Sequence, residues 1–242
     1  MKILSFNSKG GCGKSLIARE IIAAPNAAQT VMIEIDQLNK TQLSYKKDFK
    51  EVIELDKNKI KELLIYLNEY DNCVIDIGVD NLTTTMKTLI DYQLFDELDL
   101  VVIPLTEGRT DCENALKTYM TISHYTNKII FAFNKHDPEQ TLEQQYPVFF
   151  NNIEKYSIDN IDDKHIKIID SSVFSDAQNN KLLVIEMAKE YDYKQQALLA
   201  KSEHDMPRFK TYMEKELFKR AAQQLMESWI DPAYDKIISY ES

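Results

Sequence analysis

The chain has 242 residues, 44% of them hydrophobic and 28% charged. That length supports one sizeable core and is too short for two ordinary domains with a linker. A net charge of −10 excludes a protein whose whole surface grips nucleic acid, because phosphate neutralisation needs clustered cations, and leaves room only for a local patch. No apolar run approaches the roughly 18 residues of a membrane span. The first apolar stretch runs straight into glycines, unlike a signal peptide, so a soluble, cytoplasmic protein is expected. Cys12, Cys73 and Cys112 fit neither a zinc pattern nor a disulfide framework. His124, His136, His165 and His204 share no metal-ligand spacing.

In chain order, strand-like apolar runs fall at residues 2–7, 30–35, 73–77, 100–104, 128–133 and 166–169. Between them, helical spacing predicts helices over 15–24, 58–70, 82–94, 111–124 and 142–156. Strands apolar on both faces and separated by helices imply a doubly wound α/β fold, with a mostly parallel sheet covered on both sides. Such sheets bind ligands at the carboxyl ends of their strands. Past about Glu186 no strand signal follows. The chain therefore divides into a domain over 1–186 and a helical C-terminal extension over 187–242, packed on the core or on a sister subunit. In that extension Phe209, Met213, Leu217, Ala221, Leu225 and Trp229 recur every fourth position, which predicts one apolar stripe on one helix.

Glycine usage supplies the sharpest signal. Soluble proteins average about 7% glycine, whereas this chain has five in total, and Gly10, Gly11 and Gly13 are three of them. Residues 9–15 read Lys-Gly-Gly-Cys-Gly-Lys-Ser between a predicted strand and a predicted helix. Backbone N–H groups of such a loop converge on phosphates, and the helix N-terminus adds its positive dipole end. Lys14 is placed to reach β- and γ-phosphates and the Ser15 hydroxyl to ligate Mg²⁺. Ser8 stands where the standard eight-residue P-loop carries its first glycine. Cys12 reads as a small filler rather than a nucleophile, and Arg109 as a solvated loop arginine.

This segment resembles the deviant Walker A motif of the ParA/MinD family of dimerising ATPases, with Lys9 as its signature lysine. The resemblance implies a P-loop ATPase that binds ATP and Mg²⁺ through Gly10, Gly11, Cys12, Gly13, Lys14, Ser15 and Leu16. Lys9 would then reach the nucleotide of a second subunit. The run Glu34-Ile35-Asp36-Gln37 is similar to the family's next motif, so Asp36 takes the role of orienting the attacking water. Glu34 and the missing proline depart from that motif. Val74-Ile75-Asp76-Ile77-Gly78 resembles the Walker B strand, which makes Asp76 a metal-side carboxylate. The strand ending at Pro104, and the loop and helix from Ser172 to Ala177 and Val184 to Glu186, also match family positions. Asn134 falls where the family contacts the base. The literal Asn134-Lys135-His136-Asp137 run also resembles the guanine-reading motif of GTPases, with ATP the preferred reading.

The resemblance covers residues 1 to about 190 and not the tail. It implies an ATP-closed homodimer reset by hydrolysis, with a partner protein that stimulates turnover, in plasmid or DNA partition. The alternatives are a MinD-like positioning ATPase for a protein or membrane-pole cargo, a metabolic ATP-dependent enzyme on the same fold, and a nucleotide-dependent binding protein without turnover. Arg208, Lys215 and Lys219 fall on one helical face and are the candidates for non-specific DNA contact.

Overall fold

The computed structural model describes residues 1–35, 42–56, 59–78, 82–189 and 191–240. Its centre is a seven-stranded, all-parallel sheet in the order β3-β2-β4-β1-β5-β6-β7. The strands are β1 (Lys2–Ser5), β2 (Val31–Ile35), β3 (Glu51–Glu54), β4 (Cys73–Ile77), β5 (Leu100–Leu105), β6 (Ile129–His136) and β7 (His165–Ile169). Parallel pairing requires a crossover between neighbours, and helices supply it on both faces. Strands β2, β4 and β5 are buried at every position, as a doubly covered sheet demands.

One face carries α2 (Leu63–Glu69), α3 (Leu82–Asp91), α4 (Arg109–Ile122), α5 (Leu142–Gln145) and α6 (Pro147–Phe150). They pack on Leu4, Ile33, Ile75, Val101, Ile103, Phe131 and Phe133. The other face carries the helix that follows β1. That helix begins as α1 (Lys14–Leu16) and runs on as a π-helical segment, Ile17–Ala23. It packs on Ile3, Met32, Val74 and Val102 together with α7 (Ser172–Asn180) and α8 (Val184–Ala188).

The structure adds one strand that was not predicted and breaks one predicted helix. Strand β3 was not expected: it is only four residues long, begins and ends in glutamate, and buries just Val52 and Ile53, as suits a sheet edge guarded by charge. The helix expected over 142–156 breaks into α5 and α6 at Pro147, which occupies the first position of α6.

The C-terminal segment consists of α9 (Tyr193–Ser202), α10 (Met206–Leu225), a π-helical turn Met226–Ile230 and α11 (Asp231–Ile238). Ala222, Leu225, Ile230, Ala233 and Ile237 join the second core face. The apolar stripe expected on α10 is only partly buried: Leu225 joins the core, and Phe209, Met213 and Trp229 are half-buried. Leu217 is 63% exposed and Ala221 is exposed, while Glu216, Lys219, Ala222 and Leu225 turn inward. Inward charges are tolerated because they are paired: Glu216 meets Lys219 at 3.1 Å and Arg220 at 2.7 Å, and Lys219 Nζ also donates to the Tyr191 carbonyl at 3.0 Å. Lys219 is thereby withdrawn from the expected cation face. Arg208 pairs with Glu203 and lies over the Tyr212 ring, and Lys215 lies over Tyr193.

The orientation of α10 is open to a direct stability test. Leu217→Lys should leave urea-unfolding stability within about 0.5 kcal/mol, as surface changes do. Ala222→Leu, which overfills a fully buried position, should cost about 1–3 kcal/mol. The reverse ranking would mean that the stripe, not the Glu216/Lys219 side, faces the core.

Candidate functional site

Strand β1 lies between β4 and β5, and its register sets Ser5 opposite Asp76. The loop after β1 therefore emerges at the carboxyl edge, beside the end of β4. Gly11 and Gly13 both hold positive φ, 79° and 95°, which non-glycine residues rarely adopt. The two glycines differ in their surroundings. A Cβ on Gly11 would meet open space, whereas one on Gly13 would lie 2.2 Å from Asn134 Nδ2.

That contact shows how the loop is held from below. Asn134 is buried; its Nδ2 donates to the Cys12 carbonyl at 3.0 Å, and its Oδ1 accepts from the Lys135 N–H at 3.0 Å. The sheet aims it there. A bulge between Asn134 and His136 puts Lys135 at φ 61°. The buried Tyr146 hydroxyl donates to the Asn134 carbonyl at 2.9 Å, and Gln145 bonds both the Lys135 carbonyl and the Asp137 N–H at 2.9 Å. The family resemblance sets Asn134 at the base; here its amide bonds the Cys12 carbonyl of the loop.

The other rim of the loop is tied to β5 and α4. Asn7 Nδ2 donates to the Pro104 carbonyl at 2.6 Å, and the Ser8 N–H reaches Thr118 Oγ1 at 3.3 Å. Lys9 Nζ pairs with Asp111 Oδ1 at 2.7 Å, in the first turn of α4. The Thr106 hydroxyl bonds the other oxygen of Asp111. Lys9 is thus engaged within its own chain.

Inside the loop, Lys14 is buried and its ammonium donates to the Lys9 carbonyl at 2.6 Å. Cys12 is fully buried, its thiol directed at the same carbonyl at 3.3 Å, and burial pushes its pKa up. That environment fits a filler rather than a nucleophile. Gly10 and Leu16 complete the turn and the first helical residues. Arg109 is solvated and pairs with Glu113.

Asp76 sits across from Ser15 and is 2% exposed. Burial raises its carboxyl pKa, opposed by hydrogen bonds from Ser15 and Gln42 and by the charges of Lys14 and Arg19. Its Oδ2 accepts from Gln42 Nε2 at 3.1 Å, while its Oδ1 is buried without a hydrogen-bond partner among the described residues. A hydroxyl and a carboxylate with an unmet acceptor fit a hard cation such as Mg²⁺, which takes few protein ligands and completes its shell with phosphate and water. No cluster of three or more His, Cys, Asp or Glu exists among the described residues that would point to another metal. Asp36 lies outside the described residues.

Beside the loop opens a polar cavity of about 790 Å³ lined by Gly11, Glu107, Lys135, Asp137, Gln140 and Asp170, within the size range of small-molecule sites. Asp137 faces its own turn there: Gln140 Nε2 and the Glu139 N–H bond its two oxygens and hold its carboxyl below the usual range. That is the behaviour of a turn-starting aspartate rather than of an open guanine reader. A second, mostly apolar cavity of about 410 Å³ lies between α3 and α4. It touches the loop only at Ser8 and holds none of the phosphate-side residues. Gln42 and Asp111 are the site residues that motif reading missed. Gln42 follows a segment with no readable pattern, and Asp111 reads from sequence only as a helix start.

No protein-family model matches the sequence, and no curated protein matches it. Solved structures do match in fold, many of them ParA/MinD-type ATPases. The septum site-determining protein MinD of Pyrococcus horikoshii, complexed with Mg-ADP, is 14% identical, with 76% of this chain and 88% of that chain covered and a TM-score of 0.51. The MinD cell division protein of Aquifex aeolicus is 13% identical, with 93% and 96% covered and a TM-score of 0.51. An ATP complex of McdA from Cyanothece is 13% identical, with 89% and 96% covered and a TM-score of 0.50. At such identities the likeness is one of fold, and the fold is the ParA/MinD type.

The contrast between the two glycines is testable. Gly11→Ala should cost roughly the 1–2 kcal/mol of a left-handed backbone carrying a Cβ. Gly13→Ala should cost clearly more, because it also displaces Asn134. Adding Asn134→Ala to Gly13→Ala should remove most of that excess in a denaturation double-mutant cycle; strict additivity would show that the Asn134 contact does not constrain the loop.

Proposed function

We propose that this chain is a Mg-ATP-dependent switch of the ParA/MinD type, which closes into a homodimer on ATP and is reset by hydrolysis. The observation that carries it is the convergence, at the ends of β1 and β4, of a glycine loop around the buried Lys14 with Ser15 and an Asp76 oxygen that has no hydrogen-bond partner among the described residues. Lys14 would exchange the Lys9 carbonyl for β- and γ-phosphate oxygens, a charge-assisted contact. Ser15 and Asp76 would hold Mg²⁺, which neutralises charge on the phosphate oxygens. Asp36 is assigned to orienting the attacking water. Gly10 to Leu16 would cradle the phosphates through backbone N–H groups.

Lys9 gives the reading its dimer step. It is tethered to Asp111 of its own chain at the rim of the loop, with its side chain 38% exposed. Reaching a second subunit's nucleotide requires that pair to open, at little cost for a partly solvated ion pair. A partner protein that accelerates turnover would act on this same rim.

Plasmid or DNA partition is the role we carry from the motif. One observation favours the second reading, positioning of a protein cargo. Lys219 is buried and paired with Glu216, so α10 does not assemble the three-cation face on which DNA contact was to rest. No helix among the described residues is long and apolar enough to cross a membrane. Filter binding with duplex DNA at low salt separates the roles: ATP-dependent retention supports DNA partition, and its absence supports a protein cargo.

The switch itself is tested by sedimentation velocity. The wild type should be monomeric with Mg-ADP and dimeric with a non-hydrolysable ATP analogue. Lys14→Ala should weaken triphosphate binding by about tenfold to a hundredfold, from the roughly 1.5–3 kcal/mol of a hydrogen bond to a charged group. Lys9→Ala should bind nucleotide normally yet stay monomeric and turn over little. A wild type that remains monomeric at saturating analogue would overturn the dimer step.

A further inference from the structure

A fully buried glutamine stands beside the metal-side carboxylate. Gln42 opens the 3-10 turn Gln42–Tyr45 and is 0% exposed. Its Nε2 lies 3.1 Å from Asp76 Oδ2 and 3.5 Å from the Ser15 carbonyl oxygen, and its backbone N–H donates to Glu34 Oε2 at 3.2 Å. Both groups facing the amide are acceptors, so the hydrogen-bond network assigns the nitrogen to that side. Among the described residues, the amide oxygen Oε1 is left buried without a protein donor, and so is Asp76 Oδ1.

Buried acceptors in native proteins have partners. Two unmet acceptors around one carboxylate, next to the Ser15 hydroxyl, form a site that protein donors do not complete. A hydrated divalent cation does complete it: Mg²⁺ retains several waters, and their O–H groups donate. Carboxylates at metal sites are in turn held by hydrogen bonds, whose removal weakens metal binding.

We infer that Gln42 is a positioning residue of the magnesium–nucleotide site, its Nε2 orienting Asp76 and its Oε1 accepting from a metal-bound water. The inference rests on the Mg-nucleotide reading of the loop and adds to it a residue outside every motif. Gln42 also ties the metal to the chain beyond β2. Three residues on, in the same turn, the buried Tyr45 ring lies under the Arg19 guanidinium at 4.4 Å, and Arg19 belongs to the helix that follows the loop.

The test measures affinity for a fluorescent ADP analogue in EDTA and in MgCl₂, for the wild type and for Gln42→Met, which keeps volume and removes both polar atoms. The expected result is unchanged affinity in EDTA and a loss of about tenfold or more in the Mg²⁺-dependent gain. A merely structural role would lower both affinities equally and would overturn the inference, as would a Met variant that keeps the full gain. A wild type with no Mg²⁺-dependent gain would instead overturn the Mg-nucleotide reading beneath it. A second measurement needs no variant: the ¹⁵N side-chain amide signal of Gln42 in the wild-type ADP complex should shift on adding MgCl₂, and an unmoved signal contradicts the proposed contact.

Discussion

The hydrogen bond from Asn134 Nδ2 to the Cys12 carbonyl is the contact on which the site depends. It joins the end of β6 to the middle of the phosphate loop and leaves no room for a side chain at Gly13. Everything that shapes β6 therefore reaches the loop: the bulge at Lys135, the Tyr146 hydroxyl on the Asn134 carbonyl, and the packing of Phe133 against Tyr146 and Phe149. A glycine-rich loop left to itself would sample many conformations. Pinned by Asn134 below and by Asn7 to β5, it presents its N–H groups in one arrangement before any ligand arrives, which lowers the ordering cost of binding.

The opposite wall of the site is built from buried charge. Arg19 and Glu20 are almost fully buried in the helix after the loop, paired at 2.6 Å. Arg19 covers the Tyr45 ring, and Glu20 Oε2 accepts from the Val184 N–H at the start of α8. Burying such a pair is costly unless its hydrogen bonds are satisfied. Here the guanidinium stacks on the turn holding Gln42 against Asp76, and the carboxylate accepts from the helix that leads into the C-terminal segment. Gln223 on α10 then donates to the Ala188 carbonyl at the end of α8. The Asp76 side and the tail are thus linked through the Gln42–Tyr45 turn, the Arg19/Glu20 pair and α8.

How much of this was legible in the sequence follows from what each signal measures. The inner strands were readable because a doubly covered sheet makes them apolar on both faces, and the edge strand β7 because Ile166, Ile168 and Ile169 surround its one exposed lysine. Strand β3 was not, since Glu51 and Glu54 bracket only two buried residues. The loop was legible because glycine, scarce elsewhere, is concentrated where positive φ is needed. Asn134 was singled out for its position at the end of a strand, but its direction depends on a bulge that no local pattern shows. Gln42 was invisible because a lone glutamine after an irregular segment has no periodicity, and its role appears only when β2 and β4 lie side by side. On α10, counting apolar residues found Leu225 in the core but not the exposure of Leu217, because Glu216 and Lys219 satisfy each other inside while Leu217 points out.

The central claim is that the loop after β1, pinned by Asn134, is where a triphosphate binds with Mg²⁺. Hydrogen–deuterium exchange of the wild-type chain, with and without Mg-ATP, tests it at residue resolution. The account expects ATP to slow exchange most at residues 9–16, with weaker protection at the Gln42–Tyr45 turn and at the end of β6 around Asn134. Unchanged exchange over residues 9–16 at saturating Mg-ATP, or protection confined to another region, would contradict it.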